Sequence, residues 1–314
     1  MPLEKCKVAV VADWDADGVV AAALLLYSQD RRGVFPLQER TKPCLMPAGP
    51  RSIKKIIENN MCWPVVVLLD IPFTPEVEET LRHLRSCGAR IFYFDHHEST
   101  LKALRKLEDE YNAFVVVGKS PTAVLLKRFL EGMGVKFTPR LREFVKAVAV
   151  LEGGKRRPAP EEVPQGIVQL AASISKALNQ MRDEDAWSKY VKWVSNPLPF
   201  EDIKIPGSSS EEKKSLVKLG MEISRESDEK LREVAMNLAM SSINLGFIKF
   251  VDARGKWSGR GASALASNIY KIVSMPVALL IEKEDGSRLL IIRSGKGEAQ
   301  RIAKKLYEKN IVED

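Results

Sequence analysis

Residues 7–18 read KVAVVADWDADG, a short apolar run followed at once by a cluster of acids. Its first half is rich in β-branched residues, which is typical of a buried parallel strand. Asp13, Asp15 and Asp17 come next, and an apolar helical pattern begins at Val19. A strand that passes through an acidic turn into a helix predicts the first unit of an α/β domain with a mostly parallel sheet.

Two later strands also end in acid. The run VVVLLD closes with Asp70, and the run RIFYF is followed by Asp95, His96 and His97. Because ligands of open α/β sheets bind outside the carboxyl ends of the strands, we expect these side chains to meet at one edge. Clustered carboxylates raise each other's pKa, and a divalent cation removes that cost. Carboxylates with one or two imidazoles suit Mn²⁺ or Mg²⁺ better than zinc.

Each of these residues also has a structural interpretation when it is taken alone. The first three acids are equally suited to cap a helix or to occupy its first turn. Asp70 stands two residues before a proline, as turn residues do, and the histidine pair suits an exposed strand end. The occurrence of all of them at three strand ends favours the metal site. His83, in the middle of a helical pattern, is interpreted as a surface residue.

Composition and charge set broad limits. The 314 residues are 45% hydrophobic and 29% charged, which excludes disordered, collagen-like and disulfide-scaffold classes. No apolar run approaches the ~20 residues needed to cross a bilayer, so no membrane association is expected. The net charge of +8 permits a nucleic-acid partner without requiring one. The four cysteines lack C-x-x-C spacing and are predicted to be reduced thiols of a cytoplasmic protein, without a zinc site.

The length favours two domains. We predict a first α/β domain over 1–205, a linker with a connecting helix over 206–241, and a smaller α/β domain over 242–314. The linker assignment rests on the segment SNPLPFEDIKIPGSSS, which is rich in proline and serine.

Local patterns predict further elements within these domains. Ser120, followed by a proline, is expected to be the N-cap of a helix. Residues 161–194 have a helical pattern, and residues 243–250 are predicted to form a strand. A strand pair joined by a Glu-Asp-Gly turn is expected near the end of the last domain.

The motifs together resemble the DHH phosphoesterase superfamily. They are the segment DWDADG at 13–18, Asp70 at a strand end, and the triplet of Asp95, His96 and His97. The form of the first motif is similar to the RecJ-like branch, whose archaeal members include single-strand nucleases and replisome-associated relatives. Residues 259–294 resemble the DHHA1-like accessory domain that binds substrate, although the glycine-rich stretch and histidine that usually close that domain are missing after them.

The resemblance implies a phosphodiesterase with two divalent cations, Mn²⁺ preferred and Mg²⁺ accepted, that activate a water for in-line attack. It implies these metal ligands: Asp13, Asp15, Asp17, Asp70, His96 and Glu152. Glu152 stands where the family has a fourth acidic motif, usually Asp, and a helix-end surface acid is the alternative. As catalytic residues, Asp95 would orient His96 by accepting its second ring proton, and His97 would face the scissile phosphate.

The implied substrate contacts lie mostly near the end of the chain. They are Arg293, Ser294, Arg260, Ser263 and Trp14. The planar fork of Arg293 would hold a phosphate, and Trp14 would stack on a terminal base unless it belongs to the core.

Three functions remain open at this point. The first is an exonuclease on single-stranded DNA or RNA. The second is an inactive or weakly active scaffold in a helicase or replisome assembly. The third is a phosphoesterase for small substrates such as oligoribonucleotides, cyclic dinucleotides or phosphoadenosine phosphate.

Overall fold

The computed structural model describes most of the chain, in these ranges: 6–153, 163–198, 229, 231–257, 262–282, 286–295, 297–309 and 311. The chain divides into two units, residues 1–221 and 222–314. The predicted linker and connecting helix over 206–241 stay a prediction, because 206–228 lie outside the described residues.

The first unit contains a parallel five-stranded sheet, which confirms the predicted α/β class. The strand order is β2-β1-β3-β4-β5. Since every neighbouring pair is parallel, all five carboxyl ends lie at the same edge. The strands are β1 (Val8–Ala12), β2 (Cys44–Pro47), β3 (Val65–Leu69), β4 (Arg90–Asp95) and β5 (Phe114–Val117).

Helices cover both faces of this sheet. The helix α1 is buried along its whole length, because α6, α7 and α9 pack around it above the sheet, and this explains why its sequence is apolar on every side. The opposite face of the sheet packs with α2 and α3. The helices are α1 (Ala16–Leu26), α2 (Lys55–Glu58), α3 (Pro75–Ser86), α4 (Glu98–Lys102), α5 (Leu104–Asp109), α6 (Thr122–Gly132), α7 (Pro139–Glu152), α8 (Gln165–Met181) and α9 (Glu184–Val194).

The cysteine prediction is wrong. The structure joins Cys6 to Cys44 and Cys62 to Cys87, with Cα–Cα separations of 5.7 Å and 5.8 Å. Both separations lie in the range that a disulfide needs. The pairs are 38 and 25 residues apart in sequence, and linear spacing does not reveal which cysteines the sheet brings together.

The second unit holds a four-stranded mixed sheet of order β6-β7-β8-β9. The predicted strand pair is confirmed as the antiparallel pair of β8 and β9. A single strand predicted over 243–250 is wrong, because a turn at Gly246, with φ of 87°, divides it. The elements are α10 (231–240), β6 (Ile243–Asn244), β7 (Lys249–Asp252), α11 (Ala262–Val273), β8 (Val277–Glu282), β9 (Arg288–Arg293) and α12 (Glu298–Glu308).

Among the residues that the structure describes, no helix combines the length and the apolar character that crossing a membrane requires.

Candidate metal centre

Three side chains meet at the carboxyl edge of the first sheet. Ligand atoms of Asp70, His96 and His97 all lie within 4.8 Å of one another. The Nε2 atom of His96 lies 3.4 Å from a carboxylate oxygen of Asp70 and 4.0 Å from one of Asp17. Asp70 follows β3 and the histidines follow β4, so two neighbouring strands of the sheet deliver this cluster.

The acidic turn after β1 is fixed by its own backbone. The carboxylate of Asp15 accepts a hydrogen bond from the amide of Gly18 at 3.0 Å and caps α1. A Cβ atom at Gly18 would lie 2.4 Å from the carbonyl oxygen of Asp13, so only glycine allows the helix to start this close to the turn. The indole of Trp187 donates to that same carbonyl at 3.1 Å. The turn is therefore held by α1 and α9 together.

Asp17 is fully buried and reaches a different helix. Its two carboxylate oxygens accept hydrogen bonds from the backbone amides of Thr122 and Ala123, each at 2.7 Å. These amides open α6, so the predicted N-cap at Ser120 is wrong and Asp17 supplies the cap instead. The Thr122 hydroxyl also donates to Asp70 at 2.9 Å. The first turn of α6 thus orients two of the acids.

Asp70 adopts a backbone conformation that few side chains tolerate. Its φ is 60°, in the left-handed region, and its amide donates to the carbonyl of Phe94 at 3.0 Å. Asp and Asn are several-fold enriched in that region. Backbone strain of this kind clusters at active sites and ligand-binding sites. Here it turns the carboxylate of Asp70 toward His96.

The acids are protonated more readily than ordinary carboxylates. Burial, followed by the charge of Asp15, raises the pKa of Asp13 to about 7. Burial also raises the pKa of Asp17 and of Asp70 well above the usual range, and neighbouring acids add to it. A divalent cation relieves this combination of burial and like charge. The donor set of carboxylate oxygens and imidazole nitrogens fits Mn²⁺ or Mg²⁺.

Glu152, the last residue of α7, lies on the rim of this cluster. The residue as a whole is exposed. Partial burial of the carboxyl group and then the charge of Asp15 raise the pKa of Glu152, and its own charge raises the pKa of Asp17. Glu152 is thus a helix-end acid that lies close to Asp15 and Asp17. Its role as a metal ligand stays a prediction.

Asp95 orients His97 and not His96, which corrects the sequence-based prediction. A carboxylate oxygen of the buried Asp95 accepts from Nδ1 of His97 at 2.7 Å, and the other accepts from the hydroxyl of Thr100 at 2.5 Å. The ring of His96 lies beside that of His97, with 4.6 Å between the ring centroids, but its Nε2 atom faces Asp70 and not Asp95.

The two histidines have opposite proton affinities. Burial, and then the neighbouring imidazole of His97, lowers the pKa of His96, which keeps a ring nitrogen available to bind a cation. Burial also lowers the pKa of His97, but the hydrogen bond and charge of Asp95 outweigh it, so the net pKa is raised. The pair therefore divides into a less basic imidazole and a more basic one.

Trp14 does not offer a face to a base, contrary to the prediction. Its side chain is only 3% exposed, and the guanidinium of Arg182 lies over its ring at 5.0 Å from the centroid. The large apolar ring is part of the core beneath the acidic turn, so the core interpretation of this residue is the correct one.

The structure describes three of the four substrate-binding residues that were predicted in the second unit. Arg293 ends β9, is exposed and donates to the hydroxyl of Ser263 in the first turn of α11. The hydroxyl of Ser294 accepts from the amide of Ala299, in the first turn of α12, at 2.9 Å. Arg260 lies outside the described residues. Arg293 and Ser263 thus form one exposed polar pair, and Ser294 stabilises a helix.

Three supporting residues had no signal in the sequence. Thr100, Thr122 and Trp187 hold Asp95, Asp70 and the acidic turn. Thr122 acts on Asp70 across 52 residues and Trp187 on the turn across 174. Threonine and tryptophan occur in other places in the chain, so only the tertiary structure singles these out.

No family model and no curated protein matches the chain. Solved structures do. A structure described as the DHH domain of a member of a family of ribosomal proteins has a TM-score of 0.61 at 16% identity, covering 98% of this chain and 79% of that one. RecJ from Thermus thermophilus, solved with Mn²⁺, has a TM-score of 0.59 at 18% identity, covering 97% of this chain and 48% of that one.

A third similar structure is CDC45 from Entamoeba histolytica, with a TM-score of 0.50 at 10% identity, covering 98% of this chain and 89% of that one. The chain therefore has the fold of DHH-domain proteins, as its motifs predicted. RecJ is among the proteins that share this fold, and the present chain spans about half of the length of that RecJ.

Proposed function

We propose that the chain is a metal-dependent phosphodiesterase that degrades single-stranded nucleic acid from an end. The observation that carries this proposal is the convergence of Asp70, His96 and His97 within 4.8 Å, beside the buried carboxylate of Asp17. The shared fold with a RecJ solved with Mn²⁺ supports the choice of cation and of reaction. Residues 251–314 add 12 basic side chains against 8 acidic ones, which suits a polyanionic substrate.

Asp17, Asp70 and His96 are the residues that would hold the cations, with Asp13 and Asp15 contributing negative charge. When bound, divalent cations at such a site neutralise phosphate charge and lower the pKa of water to make a nucleophile. We expect Mn²⁺ to be preferred over Mg²⁺, because the site includes imidazole nitrogen.

The first turn of α6 orients two of the carboxylates that would bind the cations. The amides of Thr122 and Ala123 fix both oxygens of Asp17, and the hydroxyl of Thr122 fixes one oxygen of Asp70. Loss of a group that holds a ligand in this way typically weakens metal binding by roughly 10- to 100-fold. Two carboxylates are therefore kept in place before any cation arrives.

His97 is the residue that would face the phosphate. Asp95 accepts the proton on Nδ1 and so sets the orientation of the ring. The raised pKa of His97 favours the protonated ring. The Nε2–H group of an imidazolium donates a charge-assisted hydrogen bond to a phosphate oxygen. Such a donor stabilises the negative charge that develops during displacement.

Arg293 is proposed to bind the backbone of the strand. The hydroxyl of Ser263 accepts from its guanidinium and restricts it. Arginine matches the geometry of phosphate with two parallel N–H groups. Binding through phosphates gives affinity that depends on salt and tolerates any sequence, as a degradative nuclease requires.

The test is digestion of labelled strands with Mn²⁺. Wild-type protein and an Asp109→Asn control, an exposed acid at the end of α5, should shorten single strands, whereas Asp70→Asn should not. Strands of DNA and RNA labelled at either end report sugar preference and polarity. Intact strands after incubation with wild-type protein would refute the proposal.

The same assay separates the alternatives. Turnover of dinucleotides or cyclic dinucleotides without shortening of long strands indicates a small-substrate phosphoesterase. Bound Mn²⁺ without turnover of any of these substrates indicates a scaffold.

A further inference from the structure

A second group of metal ligands lies at the opposite end of β3. The Sγ atoms of Cys62 and Cys87 and a ring nitrogen of His83 lie within 4.8 Å of one another. Cys62 precedes β3, whereas Asp70 follows it. A five-residue strand spans roughly 16 Å, so this group is separate from the acidic centre.

The local structure explains how the three side chains meet. His83 lies in the last turn of α3, and Cys87 is the C-cap residue of that helix. Side chains four residues apart on a helix share one face, so the imidazole and the sulfur point the same way. The segment that leads into β3 brings Cys62 against them. The Nε2 atom of His83 lies 4.0 Å from the sulfur of Cys62 and 3.8 Å from that of Cys87.

These distances are close to those of a tetrahedral metal site. Zinc bonds of about 2.3 Å to sulfur and about 2.0 Å to nitrogen place those ligand atoms about 3.5 Å apart at a tetrahedral angle. Only the two sulfurs, now joined in a disulfide, would have to separate. Two thiolates with one imidazole form a donor set that selects soft or borderline cations over Mg²⁺.

We propose that Cys62, His83 and Cys87 form a redox-gated site for a thiophilic divalent cation such as Zn²⁺. The disulfide closes the site, and its reduction opens it. A water molecule would complete the tetrahedral coordination that such a cation adopts. Metal binding then ties the end of α3 to the start of β3, as the disulfide does under oxidising conditions.

A dithiol reductant transfers two electrons and two protons to the disulfide, which yields the thiols of Cys62 and Cys87 and the cyclic disulfide of the reductant. Binding of the cation releases both thiol protons. The Nε2–H group of His83 now donates to the carbonyl of Met61 at 3.0 Å. Its proton moves to Nδ1, so that Nε2 can bind the cation.

The chain provides its own control. The other disulfide, between Cys6 and Cys44, has a similar Cα–Cα separation, but its residues are only 5% and 7% exposed. Cys62 is exposed to solvent. Among the described residues, the two groups of three potential metal ligands do not include Cys6 or Cys44. A reductant therefore reaches the pair of Cys62 and Cys87 first, and only that pair has a histidine.

The experiment uses Co²⁺ as the probe. The full chain is reduced with dithiothreitol, desalted without oxygen and titrated with Co²⁺, beside an oxidised sample. We expect a thiolate-to-cobalt charge-transfer band that saturates in the reduced protein at the amplitude of one cobalt–thiolate site per chain and is absent from the oxidised protein. Carboxylates and imidazoles give no such band, so Co²⁺ bound at the acidic centre does not contribute to it. The function proposed for the acidic centre is tested separately, by nuclease activity.

Variants identify the residues that give rise to the charge-transfer band. Cys6→Ala with Cys44→Ala should retain it. His83→Ala and Cys62→Ser should each weaken binding by at least about tenfold, since loss of even a residue that supports a ligand costs roughly 10- to 100-fold. Circular dichroism checks that the variants are folded. A reduced wild-type protein without the band, or a band that survives in folded His83→Ala and Cys62→Ser, overturns the proposal. The wild-type comparison decides even where a variant fails to fold.

Discussion

The acidic centre of the first unit and the phosphate-binding pair proposed in the second unit differ in how firmly they are held. Asp17 and Asp95 are fully buried, and each carboxylate accepts at least two hydrogen bonds. Arg293 is exposed and has a single hydrogen-bond partner among the described residues, Ser263. Rigid, buried groups suit chemistry, because their geometry is set before the substrate arrives. An exposed arginine can follow a flexible strand and suits binding.

The largest effect is expected from Asp70→Asn. The change keeps the shape of the side chain and its hydrogen bond with Thr122 but removes the negative charge beside His96 and Asp17. We expect turnover with Mn²⁺ to fall by roughly 10²- to 10³-fold or more, on the scale of losing one strong electrostatic contact in an active site. Digestion rates measure it, with Asp109→Asn as the control, and comparable rates for both variants would contradict the assignment.

The next test separates His96 from His97. His96→Ala should weaken Mn²⁺ binding, because His96 contacts Asp70 and Asp17. His97→Ala should leave Mn²⁺ bound and slow turnover by roughly 10²- to 10³-fold, as expected for the loss of a hydrogen-bond donor to the developing negative charge. Calorimetric titration with Mn²⁺ and single-turnover rates measure the two effects. Equal Mn²⁺ affinity in the two variants would refute the division.

A smaller effect is expected from a residue that no cation touches. Thr122→Val removes the hydroxyl that donates to Asp70 but keeps the amide that donates to Asp17. We expect Mn²⁺ affinity to fall by roughly 10- to 100-fold. Thr122→Ser restores the hydroxyl and should restore the affinity, and a serine variant as weak as the valine variant would show that the hydroxyl is not the cause.

In the second unit, Arg293→Ala is predicted to act on binding alone. KM for a single strand should rise by about tenfold while kcat is retained, and the slope of log affinity against log salt should become shallower by about 0.7, the value for one phosphate contact on a single strand. Arg288→Ala, an exposed arginine at the other end of β9, is the control. A fall in kcat without a change in KM would place Arg293 in the chemical step.

The smallest expected effect concerns stability against pH. With the cation removed by a chelator, the folded chain keeps a proton on Asp13 up to about pH 7, while the unfolded chain releases it near 3.8. The folded state thus binds more protons between these values, and the free energy of unfolding falls as the pH rises from about 4 to 7. The partly exposed Asp252 of the second unit, with its pKa lowered to about 2 by Arg254, is ionised throughout this window.

Thermal denaturation from pH 4.5 to 7 measures this trend. Excess Mn²⁺ should reverse it, since the ionised carboxylates then bind the cation. Stability that stays level or rises with pH in the presence of chelator would contradict the raised pKa values.

The sequence predicted the site residues that stand directly after a strand. Apolar, β-branched runs indicated β1, β3 and β4, and the acids stand directly after them, so their convergence follows from a parallel sheet. β2 was missed because it is four residues long and contains a proline. The helical pattern over 161–194 forms two helices, because Arg182 takes a left-handed conformation with φ of 51° and ends α8.

What could not be predicted depends on contacts between distant residues. The choice of His97 as the partner of Asp95, the burial of Trp14 and both disulfides are decided by packing, which a single sequence does not display. The same holds for the cap of α6, where the local residue Ser120 suggested one partner and the fold supplies another from the first motif.

That cap has a consequence for how the molecule folds. Asp17 and Thr122 are separated by 105 residues, and a contact over that distance requires closure of a long loop before it can form. A nascent chain that ends before α6 already contains Asp13, Asp15, Asp17, Asp70 and Asp95. It still lacks the backbone amides that hold Asp17. Unravelling of the first turn of α6 would remove the hydrogen bonds that hold Asp17 and Asp70, so we expect local opening of this helix end to disrupt the acidic centre as well.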